Sequence, residues 1–493
     1  MIKIKRIISC IVTICMTVGI LSYLTDLMER KSSDQKYEDF LKQEEEFDVL
    51  FFGTSHMING VFPMELWNDY GIVSYNFGGH SNQMATTYWV MENALEKTIP
   101  KVVVIDCLEV EKQRKCSDLF SYVHLSLDAF PLSCNKIRAI WDLLDDPALE
   151  QDIEDGSART SEEPRTKIGL LWDYSVYHSR WSEISQNDFE PTSTYEKGAE
   201  SRIGVKSTWF DKIDREEKIL PGSTGDVYLR RMIEDCQKRG IEVVLTYLPF
   251  SADPLQQMTA NYIYDIAEEY NIGYINFLDV DIVNYQTDMY DEGHLNPSGA
   301  RKVTSYIGKY LVENCDVCDQ RIDRKYEFWN EDYKEYLSFM NNNISSCSSI
   351  NEYLMLLAGD DLEIRMDIRN KDVFKDMLII DLLENLGIDI TQLSYNTDFI
   401  LIKDHGREIY LIHDIRNDVS TQSDLSLRYN LDEEKGEYDL YVGDEQVMRG
   451  NSLDSTDIQI DVYRNNVRID SVRFVPSAVG QDMTAETSLI AVR

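Results

Sequence analysis

Residues 47–60 read FDVLFFGTSHMING. Val49, Leu50, Phe51 and Phe52 form a short apolar run, and Gly53-Thr54-Ser55 end it in a turn of small residues. An apolar run of this length, bounded by a turn signal, is expected as a strand buried on both faces, with Ser55 presented at its carboxyl end. Outward from it the chain alternates. Residues 74–77 form a second short strand closed by Gly78-Gly79, residues 82–97 a helix, and residues 102–107 a strand interrupted only by Asp106. Leu229, Met232, Ile233 and Cys236 then fall at i, i+3, i+4, i+7 on a helix ended by Gly240. A strand over 242–248, a helix marked by Ile263, Ile266, Ala267 and Tyr270, and a strand over 274–278 follow. A last helix over 297–311 presents Ala300, Val303, Ile307 and Leu311. Such alternation predicts an α/β fold with a doubly wound, mostly parallel sheet. Active sites of such sheets lie at the carboxyl ends of the strands, where Ser55, Gly78 and Asp291 are expected.

The second informative stretch is DEGHLNPSGARKV, residues 291–303. Asp291 and His294 stand at D-x-x-H spacing on the loop after the last strand, and Asn296-Pro297 start the final helix, with proline suited to a first turn. A serine hydroxyl is a weak nucleophile near neutral pH. It needs an imidazole to take its proton and a carboxylate to orient that imidazole. Ser55, His294 and Asp291 supply the three groups, so a serine hydrolase or acyltransferase is expected. His56 ranks below His294 as the base, because a side chain next to the nucleophile on a sharp turn points elsewhere.

Residues 110–215 interrupt the alternation. They hold an acidic, breaker-containing stretch (145–164) and the aromatic segment LLWDYSVYHSRW (170–181). Loops this long are usually functional, and this one is expected to be part lid and part substrate wall. For His178, Arg180 and Trp181 two roles stand side by side: packing of the lid, or glycan binding, with Trp stacking on sugar rings and Arg donating to hydroxyls or carboxylates. Beyond residue 321, EFWNEDYKEYLSFMNNN (327–343) leads to a region with strand candidates at 362–368, 399–403, 438–442 and 458–463. It also has a helix over 373–386 ending at Gly387. The expected division is an anchor (1–30), a stalk or short helix (31–46), a catalytic domain (47–320) carrying the insertion at 110–215, a linker (321–350) and a separate C-terminal α+β domain (351–493).

The net charge of −38 argues against nucleic acid as a partner, and 43% hydrophobic residues suffice for packed cores. Lys3, Lys5 and Arg6 precede the uncharged residues 7–24, and Asp26, Glu29 and Arg30 follow. This predicts an uncleaved single-pass anchor with the rest of the chain outside the cell; a cleaved signal peptide is the alternative. Nine cysteines are scattered. Cys315 and Cys318 form one C-x-x-C without the further ligands a zinc site needs, so a local disulfide or free thiols are expected there rather than a metal.

GTSH (53–56), YNFGGHSNQ (75–83) and DEGHLNPSGA (291–300) resemble blocks I, II and V of the SGNH/GDSL hydrolase family, whose folds are flavodoxin-like. The resemblance implies Ser55 as nucleophile, His294 as general base and Asp291 as its orienting acid. It also implies an oxyanion hole from the backbone N–H groups of Ser55 and Gly78 or Gly79, and no cofactor. Block III departs from the family. Where an asparagine amide is usual, this chain has IDCLE (105–109), which leaves Asn82, Gln83 or Arg180 as candidates for the third donor. The layout is similar to the membrane-anchored teichoic-acid D-alanyl transfer proteins and alginate O-acetyltransferases. That similarity implies an acylated cell-surface polysaccharide as substrate and, for a cytoplasmic acyl donor, a multi-pass partner. Residues 362–390 and 438–474 resemble the interleukin-like EMT-inducer fold, some relatives of which bind carbohydrate. A non-catalytic glycan-binding or scaffold protein on the same fold is the competing expectation.

Overall fold

In the computed structural model the residues described are 2–28, 31–149, 166–172, 174–185, 188–189, 195–219, 222–359, 361–368, 375–388, 399–404, 408–413, 427–432, 437–442, 445–451, 458–476 and 489–493. The chain divides into two compact units. One comprises Met1–Glu200, Phe210–Asp281 and Val303–Tyr333; the other comprises Ser201–Trp209, Ile282–Lys302 and Lys334–Arg493.

The first unit is built on five parallel strands: β1 (Val49–Phe52), β2 (Ser74–Asn76), β3 (Val102–Asp106), β4 (Glu242–Tyr247) and β5 (Gly273–Asn276). Their spatial order is β2-β1-β3-β4-β5, with Val49 opposite both Ser74 and Val102. The direction of winding reverses at β1, whose neighbours β2 and β3 lie on opposite sides. In open α/β sheets such a reversal opens a crevice beyond the strands' carboxyl ends. All residues of β1, β2 and β3 are buried, as expected of the apolar runs in β1 and β3, and polar Ser74, Asn76 and Asp106 are buried with them. The helix expected over 82–97 is α5 (Met84–Ala94); α3 (Ser55–Gly60) and α4 (Pro63–Tyr70) fill the β1–β2 connection.

The N-terminal helix α1 (Ile2–Met28) contains a segment, Lys5–Thr25, long and apolar enough to cross a membrane, and its apolar side chains are exposed. Residues 31–46, expected as a stalk or short helix leaving the membrane, carry the helix α2 (Lys31–Lys42), which packs on the sheet. Phe40 is fully buried among Phe47, Tyr75 and Phe77, and Tyr37 stacks on Phe77 and packs tilted against Phe130. The Tyr75 hydroxyl donates to Lys36 O, and the Lys97 amine donates to Phe40 O and Gln43 O. Each aromatic pair adds about 0.5–1.5 kcal/mol beyond area burial, so α2 is part of the core.

Within the insertion, α6 (Phe120–Leu127) packs beside α2 and α5, and α7 (Cys134–Leu143) packs on α5 and on the short helix Lys167–Leu171. Tyr174–Tyr177 and the 3-10 turn His178–Ser182 contact α1. Of the acidic stretch 145–164, residues 150–164 lie outside the described residues.

The second unit holds an antiparallel six-stranded sheet ordered β14-β13-β12-β6-β7-β8 and a three-stranded sheet ordered β11-β10-β9. Its strands are β6 (Glu363–Ile368), β7 (Phe399–Asp404), β8 (Glu408–His413), β9 (Leu427–Asp432), β10 (Glu437–Val442), β11 (Glu445–Asn451), β12 (Ile458–Arg464), β13 (Val467–Pro476) and β14 (Leu489–Val492). The helix expected over 373–386 spans Met377–Asn385, and residues 373–374 lie outside the described residues. Tyr353, Ile364, Leu382, Val462 and Phe474 form its core, against which Ile203 and Val205 pack. None of the nine cysteines forms a disulfide.

Candidate active site

Ser55 opens α3 directly after β1, at the position whose N–H lies outside the helix's own hydrogen-bond ladder. Thr54 is the N-cap and accepts from His56 N at 3.2 Å. The His56 ring packs edge-on against Phe250, 4.8 Å between centroids.

The β1 and β2 turns press together. A Cβ on Gly78 would lie 2.6 Å from Ile58 N and 2.8 Å from Thr54 O, so only glycine allows this approach. Asn76 clamps the junction: its amide donates to Met57 O (2.7 Å) and Val61 O (2.8 Å), and its Oδ1 accepts from Gly78 N (2.9 Å). Gly79 N donates to Gly53 O at 3.0 Å, and the Lys36 amine reaches in from α2 to donate to Gly78 O at 2.7 Å. The two glycine N–H groups expected to face an oxyanion are thus engaged inside the turn. That is a correction to their assignment as simple donors, and its cause is the Asn76 clamp.

Asn82 has the geometry those glycines lack. It is buried, its Oδ1 accepts from Ser126 Oγ at 2.7 Å, and its Nδ2 has no hydrogen-bond partner among the described residues. A Cβ on Gly79 would overlap that Nδ2 at 2.0 Å, so Gly79 makes room for the amide. A buried amide donor left without an acceptor costs about 1–3 kcal/mol, a cost that an arriving anionic oxygen would relieve. Gln83 is turned away, donating to Glu109 Oε2 at 3.2 Å.

Three titrating groups at this turn escaped the sequence reading as site residues. Asp106, at the end of β3, is fully buried under Gly53 and Thr54; burial raises its pKa to about 7, only partly offset by hydrogen bonds from Leu248 N and Thr54 Oγ1. Burial likewise raises Glu109 to about 7, against the opposing pull of Lys112. Burial lowers Lys36 to about 7, against the opposing charge of Glu200. The signal for Asp106 was visible: a carboxylate interrupting a run otherwise fit for burial on both faces.

In the second unit, the His294 Nδ1 lies 2.8 Å from Asp291 Oδ1 and 3.0 Å from Oδ2. The same carboxylate accepts Gly293 N and His294 N, both at 2.8 Å. Burial would raise the Asp291 pKa, but these hydrogen bonds outweigh it and hold the group below its ordinary value. With Nδ1 tied to the carboxylate, Nε2 is the basic nitrogen. The loop is braced from below. Asn296 donates to Gly204 O, Thr287 O and Met289 O and caps the following helix through Ser298 N and Gly299 N. Buried Asp288 holds Asn284 N, Ser298 Oγ and the Lys302 amine.

His178, Arg180 and Trp181 belong to the turn beside α1, apart from the loops that follow β1 and β2. The Arg180 guanidinium pairs with Asp188 at 3.0 Å and donates to Met28 O at the end of α1. These contacts fit the packing role, one of the two expected for it. Trp181 is 70% exposed. No protein-family model matches this chain, and no curated protein matches it either.

Proposed function

We propose that this chain is a membrane-anchored serine esterase or O-acyltransferase of the SGNH/GDSL type, acting outside the cell on acyl esters of a surface polysaccharide. The observation that carries the reading is the Asp291–His294 pair, an imidazole held through Nδ1 by a carboxylate that two further contacts, the backbone N–H groups of Gly293 and His294, help keep ionised. The parallel order β2-β1-β3-β4-β5, a flavodoxin-like order, with Ser55 at the end of β1, supports it. Ser55 Oγ attacks the acyl carbonyl while His294 Nε2 takes its proton. The tetrahedral oxyanion collapses, the sugar hydroxyl leaves with that proton, and the acyl group remains on Ser55. Attack by water completes hydrolysis; attack by another sugar hydroxyl completes transfer. A multi-pass partner would have to deliver any acyl group that starts in the cytoplasm.

A second reading, a glycan-binding scaffold that has kept the fold, draws on the engaged N–H groups of Gly78 and Gly79. Labelling the full chain with a fluorophosphonate separates the two. The enzyme reading expects covalent modification that Ser55→Ala and His294→Ala abolish. An unlabelled, folded protein would leave the scaffold.

A further inference from the structure

We infer that the insertion of the first unit is a membrane-seated platform, whose exposed tryptophans lie in the interfacial layer of the bilayer that α1 enters. This rests on the reading of α1 as a membrane span.

Large apolar side chains scattered singly over a surface need no explanation, but a contiguous group does. Here Leu132, Trp141, Ile168, Trp172, Trp181 and Phe189 are all exposed, between 45% and 70%. Trp141 stands on α7, which packs on the helix Lys167–Leu171 that carries Ile168 and is followed by Trp172; Trp181 stands on the turn His178–Ser182, which packs on α1. Arg180 ties that turn to the last residue of α1 through Met28 O, which fixes neighbouring Trp181 beside the end of the apolar helix. A cavity of about 690 Å³ lies between α1 and the insertion; Val18 and Leu21 of α1 form one wall, Leu132 and Trp172 another, and Glu38, Asp128 and Lys136 add charged groups to its lining. Leu132 and Trp172 of the insertion therefore share one cavity with apolar side chains of α1.

The chemistry of the patch fits a bilayer interface better than a sugar. Tryptophan concentrates at that depth because its ring is apolar and its N–H is polar. Lys167 lies 4.8 Å over the Trp141 ring, a cation placed to reach headgroups while its stem covers apolar surface. Leu132, Ile168 and Phe189 offer a glycan nothing to hydrogen-bond.

The test uses the full chain in vesicles that contain either ordinary or bromine-labelled phosphatidylcholine, with acrylamide as the quencher from water. Flotation after alkaline carbonate first establishes that α1 is embedded. The expected result is tryptophan emission quenched by brominated lipid, with Trp172→Phe/Trp181→Phe removing most of that quenching. These exposed conservative changes leave the fold intact, which circular dichroism checks. Embedded protein whose Trp172 and Trp181 emission is quenched by acrylamide but not by brominated lipid would overturn the platform and return Trp181 to a solvent-facing glycan contact. Protein that fails to float would overturn the span reading, and the platform with it.

Discussion

At the scale of single residues, Asn82 is the one of the three candidate donors whose buried amide lacks a hydrogen-bond partner among the described residues. If its buried Nδ2 is the donor that the usual block III asparagine would supply, Asn82→Ala should lower kcat on a small acetyl ester by roughly 10²–10³-fold with little change in KM. Ser126→Ala, which removes only the group steadying the amide, should cost far less. A twofold change or smaller in Asn82→Ala would leave the amide a structural role. Asp106 gives a different kind of test. Its folded pKa of about 7 lies above the unfolded value of 3.8, so the native state binds the extra proton between those limits. Stability is therefore highest below about pH 4 as far as this group is concerned, declines as pH rises to 7, and stays low above that, by about 4 kcal/mol at most. Asp106→Asn should flatten that slope and be more stable than the parent at pH 8, measured by denaturant unfolding. A steeper slope in the variant would mean the carboxylate is stabilised rather than penalised.

At the scale of elements, strands and helices of the parallel sheet were legible because periodicity and breakers agree there: the run 49–52, the i, i+3, i+4, i+7 helix at 229–236, Pro297 and Gly240. What the chain concealed was the packing of α2. QKYEDFLKQEEE looks like a solvated stretch, since its aromatic anchors are few and the partners that bury them, Phe47, Tyr75 and Phe77, come from elsewhere in sequence. The Gly78-Gly79 turn was legible as a glycine pair, yet the Asn76 clamp was not, because one side chain meeting two carbonyls and an N–H is a tertiary fact. Phe40→Ala tests the element directly. Removing a fully buried ring should cost about 3–5 kcal/mol, seen as a large fall in the unfolding midpoint of the detergent-solubilised chain. A shift of a few tenths would return α2 to the role of a stalk.

At the scale of the whole molecule, the loop of Asp291 and His294 clusters with the C-terminal sheet rather than with the strand that precedes it. Asn385 donates to Ser298 Oγ at 3.1 Å and accepts from the Lys302 amine at 2.7 Å, and both partners brace the segment around Asp288. A chain ending at residue 333 should therefore lose fluorophosphonate labelling although it retains Ser55, His294 and Asp291, while Asn385→Ala in the full chain should retain part of it. Undiminished labelling of the shortened chain would make the C-terminal region dispensable for the chemistry. The seating of α2 has a consequence for how such an enzyme would meet its substrate. Met28 and Lys31 are joined by three Cα steps, a covalent reach of about 11 Å. With no arm to extend, the serine would patrol a thin shell above the bilayer, and encounters would be those of a two-dimensional fluid. Turnover of a lipid-linked acyl glycan should then follow its mole fraction in the membrane and fall on surface dilution, at constant bulk concentration.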